Sequence, residues 1–411
     1  MSERTKKIIF IIIFLVITIL LGYLIYYLFL KPAPSVPPEN INEIFPEGLP
    51  GAEVNVNRPT YINVNGRLIP AANINVTPPS EVSTIAQGGI TQVTTLANVP
   101  TSGATLASNN RDLLYYNQSD GKFYKIDSAG NISLLIDKVF HDVDSIYWAP
   151  DKEKVILEYP DGSNIVYNFT TDKQVTLPKH WKDFTFSPTS KKIAFKSWTV
   201  DKEDRWLAIS SDDGSTSKKI EALGDVDETV HVEWSPNKQI IATFTEGRDL
   251  DRQYLFFVGL HEERFNATII EGWDYRSQWS PEGERLLYSV YNRNTNLNPT
   301  LWIVDAKGEN IGNNRTPLYL QTWADKCTFA DANILYCAVP QYLEKGSGLI
   351  PEVAANVADD FYKIDLRTYS KTLMAVPDGS YNASNLTLSG DGRYLYFVDQ
   401  NSGNLHQLRL K

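Results

Sequence analysis

The chain is poor in sulfur and histidine, with two cysteines, two methionines and five histidines among 411 residues. Cys327 and Cys337 form no Cys-x-x-Cys pair, which argues against redox catalysis. No Gly-x-Ser-x-Gly nucleophile elbow is present, so a serine-hydrolase site is not expected. No block of Lys and Arg occurs outside the first seven residues, and the formal net charge is −10. Phosphate backbones are held by clustered cations, so nucleic acid is excluded as an expected partner. Nothing in this inventory requires a cofactor.

A short phrase recurs instead: Trp148-Ala149-Pro150, Phe186-Ser187-Pro188, Trp234-Ser235-Pro236 and Trp279-Ser280-Pro281. The aromatic anchors are spaced by 38, 48 and 45 residues. Each precedes a polar turn and an apolar run such as Arg285-Leu286-Leu287-Tyr288. Relaxing the phrase adds Leu106, Phe329 and Leu388, making seven anchors. A period of 40–50 residues with β-type alternation indicates propeller blades, each of four strands punctuated by Gly, Asp, Asn, Ser and Pro turns. The last unit runs out of sequence one strand short. The segment Thr91-Gln92-Val93-Thr94-Thr95-Leu96 resembles fourth strands elsewhere, such as Gln174-Val175-Thr176-Leu177, and is expected to complete blade seven. Such a closure removes open edges that would otherwise invite misassociation.

Residues 8–30 form an apolar run of 23 residues, about 35 Å long as a helix and enough to cross a bilayer. Arg4, Lys6 and Lys7 precede it and Lys31 follows, so residues 1–7 are expected in the cytoplasm and the remainder outside. The run is longer than the apolar core of a cleaved signal peptide and reads as an uncleaved signal anchor in the cell membrane. Residues 31–90 read as a Pro/Asn-rich extracytoplasmic linker, ten of the 22 prolines lying between 32 and 90. Near 61–69, Asn65-Gly66 between alternating runs signals a small hairpin.

The two cysteines fall on the first and second strands of blade six. Pairing Phe329 with Leu335 sets Cys327 opposite Cys337, where Cβ atoms lie ~4.5–5.5 Å apart. A disulfide needs slight adjustment from there and is permitted outside the cytoplasm; two buried free thiols are the other reading.

The anchors at Trp148, Phe186, Trp234 and Trp279 with their prolines, and Gly390-Asp391-Gly392-Arg393 in the last blade, resemble the WD40-like repeats of TolB-type β-propeller proteins. The resemblance covers roughly residues 91–411 and implies the fold more than a function. The chain departs from TolB in having no recognisable amino-terminal α/β domain, and a membrane anchor with a Pro-rich stalk stands there instead.

Connections from a fourth strand to the next first strand gather on one propeller face around the central channel. Here they carry His141, His180 and His231, Trp181, Trp273 and Trp323, and Tyr275 with Arg276. Histidines beside carboxylates suit a metal or acid–base site. Their unequal offsets from the anchors, seven, six and three residues, argue against convergence. Asp144, Asp183, Asp274 and Asp325 read as turn caps. The tryptophans read either as inter-blade packing or as an exposed binding rim. The expectation is an all-β, seven-bladed propeller over residues 91–411, with no catalytic residue, metal or cofactor. Its expected work is protein binding or scaffolding in the cell envelope, with an envelope or surface protein as partner. The alternatives are glycan or small-ligand binding through an aromatic, acidic funnel, and a propeller-type lyase or hydrolase. A ligand or enzyme reading expects the tryptophans and histidines to point into one open funnel. A scaffold expects buried tryptophans and a broad exposed patch.

Overall fold

The computed structural model describes residues 20–21, 61–64, 67–70, 82–261, 263 and 265–411. The expected membrane span at 8–30 lies outside the described residues except for Leu20 and Leu21, which are helical, and the linker lies largely outside them. Among the described residues no helix is long and apolar enough to cross a membrane. Tyr61–Val64 and Arg67–Pro70 pair antiparallel, with Ile62 opposite Ile69.

Seven antiparallel sheets follow one another from Thr101 to Arg409, and each consecutive strand pairs with the next. Their first strands are Thr101–Leu106, Ser145–Trp148, Trp181–Phe186, Val230–Val232, Trp273–Trp279, Cys327–Phe329 and Ala383–Leu388. First strands of neighbouring blades touch around the ring and so line its axis.

The recurring phrase is a local device. In every blade the residue after the anchor donates its N–H to a carbonyl just past the turn: Ala149 to Lys154, Ser187 to Lys192, Ser235 to Ile240 and Ser280 to Arg285 among them. Where that residue is serine, its hydroxyl also accepts a backbone N–H across the turn, from Lys192, Ile240, Arg285 and Tyr394. The proline has no N–H to leave unsatisfied and presets its own φ. In six of the seven blades one turn residue then adopts positive φ, for which Gly283 and Gly392 are suited and which Asn110, Lys152, Ser190 and Lys238 tolerate.

Alternation along the strands sends apolar side chains to both sheet faces, so the core is a set of sandwiches between neighbouring blades. Tyr116, Phe123, Val155 and Tyr167 fill the seam between blades one and two. Leu287, Leu301, Leu335 and Ile364 fill that between blades five and six. Each seam needs both neighbours, which couples the ring.

Val93–Ala97 closes it. This strand pairs antiparallel with Leu405–Arg409 as the outer strand of blade seven, Leu408 opposite Val93 and Leu405 opposite Ala97. The expected closing segment was placed two residues early: Thr91 belongs to Ile90–Thr91, which adds in parallel to Val376–Pro377 as a fifth strand of blade six. Cys327 faces Cys337 across the first two strands of blade six, and the two are joined in a disulfide. Their Cα atoms are 4.0 Å apart, closer than cross-strand residues usually sit.

Candidate functional site

Antiparallel connectivity decides which loops share a face. The fourth-to-first and second-to-third connections emerge together, here called the connection face, and the anchor turns emerge with the third-to-fourth turns on the other. The insertions at 198–205, 248–252, 292–298 and 341–358 are second-to-third connections. They therefore crowd the same face as the residues singled out in the sequence.

Those residues do not form an open funnel. Trp181 is buried and stacks on Phe195 with ring centroids 3.8 Å apart. Tyr275 is buried in the seam between blades four and five, its ring edge-on to His231 at 5.2 Å. Trp323 is buried under the blade-six insertion, against Ala354 and Val357. Trp273 is half-buried, and its indole N–H donates to the Leu250 carbonyl at 3.1 Å, holding the blade-four insertion. Three of the four aromatic rings thus pack, and the fourth braces a loop. Arg276 reaches Asp274 at 3.2 Å and Asp325 at 3.0 Å, and its guanidinium lies 5.7 Å from the Trp323 ring. His141 and His180 are exposed, while burial and the nearby Lys196 cation pull His231 below its ordinary value against the opposing pull of Asp183. Among the described residues no three His, Cys, Asp or Glu side chains gather to hold an ion.

The aspartates differ from the turn caps expected of them. Asp183 and Asp274 sit at φ 55 within register shifts of their first strands, so each occupies a β-bulge. Asp183 pairs with the buried Lys196 at 2.8 Å. Asp325 lies in the short 3-10 turn Ala324–Lys326, and Asp144 is exposed.

Sequence reasoning missed Glu233. It precedes the Trp234 anchor in the slot that Thr105, Thr185, Thr328 and Thr387 occupy elsewhere, so alignment on the anchors would have flagged a carboxylate among threonines. Glu233 is intermediate in exposure as a residue, but its carboxyl is enclosed between first strands, and burial pushes it up to about 7. The Ser277 hydroxyl, 3.2 Å away, and the Trp279 N–H oppose that rise. The folded value lies above the unfolded one, so this group's stabilising contribution is complete below about 4.5 and is lost as pH rises towards 7. Glu233→Gln is expected to flatten the pH dependence of urea stability across that window and to raise stability at pH 8 by roughly 2 kcal/mol. An unchanged pH profile in the variant would refute the assignment.

The insertions on this face are apolar and firmly held. Trp198, Val200, Leu250, Tyr342, Leu349 and Ile350 are exposed on it. Trp198 lies 4.8 Å from the Arg205 guanidinium, which is itself fixed by the buried Asp227 at 2.9 Å. The blade-six insertion is bonded to that of blade five: Gly346 N–H to the Asn296 carbonyl at 2.9 Å and Gly348 N–H to the Leu297 carbonyl at 2.8 Å. A side chain on Gly348 would meet the Leu297 carbonyl at 2.7 Å, so the two loops approach closely only because that residue is glycine.

No family model matches the sequence, and no curated protein matches it. Solved structures are similar in fold. An oligogalacturonate lyase in complex with manganese is 13% identical, with a TM-score of 0.54 over 78% of this chain and 93% of that one. The β-propeller domain of Myceliophteria thermophila Cps50 (Swd1) is 10% identical, with a TM-score of 0.53 over 78% of this chain and 100% of that one. At such identities the likeness extends to the propeller fold alone.

Proposed function

We propose that the protein is a single-pass, membrane-anchored β-propeller, amino terminus in the cytoplasm, whose extracytoplasmic ring binds an envelope or surface protein through its connection face. The observation that carries this reading is the set of exposed apolar side chains on the insertions of this face, two of which, those of blades five and six, are bonded to one another. A surface that is rigid before binding loses little entropy on association, and an exposed tryptophan among large aliphatic residues has the composition of interface hot spots. The burial of Trp181 and Trp323 favours a scaffold over a funnel-type ligand site. The apolar run at 8–30 and its basic flank support the anchor.

Crosslinking and affinity capture of the full-length protein from native membranes test this. A specific protein is expected, and Trp198→Ala with Leu250→Asp is expected to weaken its capture roughly thirtyfold, the scale of losing hot-spot contacts. Both side chains are exposed, so the variant should melt like the parent. Recovery of no protein, or capture indifferent to these substitutions, would sink the proposal.

A further inference from the structure

The seam between blades seven and one is packed at its axial end and open at its outer, turn-side end. Leu113, Ile126 and Tyr396 are buried in it, with Leu96 and Tyr394 packed against them. Towards the turns it widens into a groove of about 780 Å³, within the roughly 300–1,000 Å³ typical of small-molecule sites. The widening has a cause in sequence. The third-to-fourth turn of blade one is Asp127-Ser128-Ala129-Gly130, whose last three residues are too small to cross the gap. Other seams are bridged at this level: Lys154 Nζ reaches the Ser190 carbonyl at 2.7 Å, and the Asn237 amide reaches the Gly283 and Ala306 carbonyls. Between blades seven and one the turns meet through Gly390 N–H and the Asn110 carbonyl, 3.0 Å apart.

One wall is aromatic. Tyr394 and Tyr396 are two apart on the second strand of blade seven and share a face, their rings inclined by 22° with centroids 6.3 Å apart. Gln407 lies opposite Tyr396 in register on that face. The remaining lining is polar, including Arg111, Asn110 and Asp391. Asp391 is committed to its own turn, accepting from Ser389 at 2.7 Å, and that bond, followed by the Arg393 N–H, lowers its carboxyl. The Arg111 guanidinium, the Gln407 amide and the Tyr394 hydroxyl make no hydrogen bond or ion pair among the described residues; Arg111 is exposed and Tyr394 and Gln407 are half-buried, while Tyr396 is buried beside them.

We propose that this groove is a binding site for a short oligosaccharide. A pyranose presents C–H groups on its ring faces and hydroxyls at its rim. The two tyrosine rings offer a flat apolar wall for the first, and amide and guanidinium groups offer planar, paired donors for the second. A purely apolar ligand would strip water from Arg111 and Gln407 and return no hydrogen bonds, which costs affinity. The groove opens on the face opposite the one proposed to bind protein, and the two sites can fail or succeed separately.

The test is binding of the full-length protein to an array of neutral, amino and carboxylated oligosaccharides of two to six units, followed by titration calorimetry with the best-retained glycan. At least one glycan is expected to be retained. Tyr394→Ala and Arg111→Ala are each expected to weaken it at least tenfold, while Trp198→Ala on the other face leaves it unchanged. Arg111 is exposed, so its replacement does not threaten folding, and unchanged circular dichroism confirms this for Tyr394→Ala. Retention of no glycan, or retention that survives both groove substitutions, would overturn the assignment.

Discussion

A chain beginning at Thr101 is expected not to close its ring. It would lose Val93–Ala97, and with it the ladder along Leu405–Arg409. Leu405, Leu408 and His406, all buried, would be left on an open edge. It would also lose Ile90–Thr91 from blade six, the bond from Ala86 N–H to the Arg409 carbonyl at 2.8 Å, and that from Val93 N–H to the Asp378 carboxylate at 3.0 Å. Each large apolar side chain returned to water costs about 1.5–3 kcal/mol, and each hydrogen bond about 1 kcal/mol. The sum exceeds about 5 kcal/mol, a large part of the 5–15 kcal/mol that usually separates folded from unfolded protein. Urea titration should therefore show a lost or strongly lowered transition, and a peptide covering residues 82–97 added in trans should restore part of it. A truncated chain as stable as one beginning at residue 82 would refute the account.

The second large effect is expected at the buried pair between blades six and seven. Lys326 and Asp359 are both almost fully enclosed and lie 2.7 Å apart. Lys326 also donates to the Asn382 amide oxygen at 2.6 Å, and the Ala383 N–H donates to Asp359 at 2.7 Å. The network thus joins the turn that leads into blade six and the start of its third strand to the start of blade seven. Burial raises the Asp359 carboxyl to about 6, although Lys326 pulls the other way. Lys326→Ala leaves a carboxylate with no counter-charge in the interior, which typically costs 3–5 kcal/mol. Without its cation the carboxyl rises further, so the loss should be smaller at pH 5, where it takes up a proton, than at pH 8. The double variant Lys326→Met, Asp359→Leu removes both charges and should recover most of the stability. A double variant no better than the single, or a loss independent of pH, would contradict this reading.

How much of this was legible beforehand follows from the range of the interactions. The anchor turns were readable because each closes within about six residues, with a serine hydroxyl and a proline acting on their own neighbours. The closing strand was readable because blade seven lacked one. The parallel fifth strand was not, since two residues carry no pattern of their own. Cys327 and Cys337 could be set opposite each other because a tight turn fixes the register of its hairpin. Glu233 was within reach of the anchor alignment, being the one acidic residue in its slot across seven blades.

The candidate rim was a different matter. The spacing of Trp181, Trp273 and Trp323 put them on the right face but left their exposure open. That depended on Phe195 beneath the first, on the carbonyl of an inserted loop for the second, and on the whole 341–358 insertion above the third. These partners lie in other strands or other insertions, and no local rule connects them.

By itself the sequence determined the repeat, the seven blades and the strand that closes them, because turn chemistry and alternation act over a few residues. Only the tertiary structure decided which aromatic rings are core, which carboxylates are enclosed, and where the ring stays open. Those outcomes depend on side-chain volumes meeting across a seam. Leu96 and Gln407 face Leu113 and Ile126 from opposite ends of the propeller domain, and the small residues of a single turn leave a groove where neighbouring seams are filled.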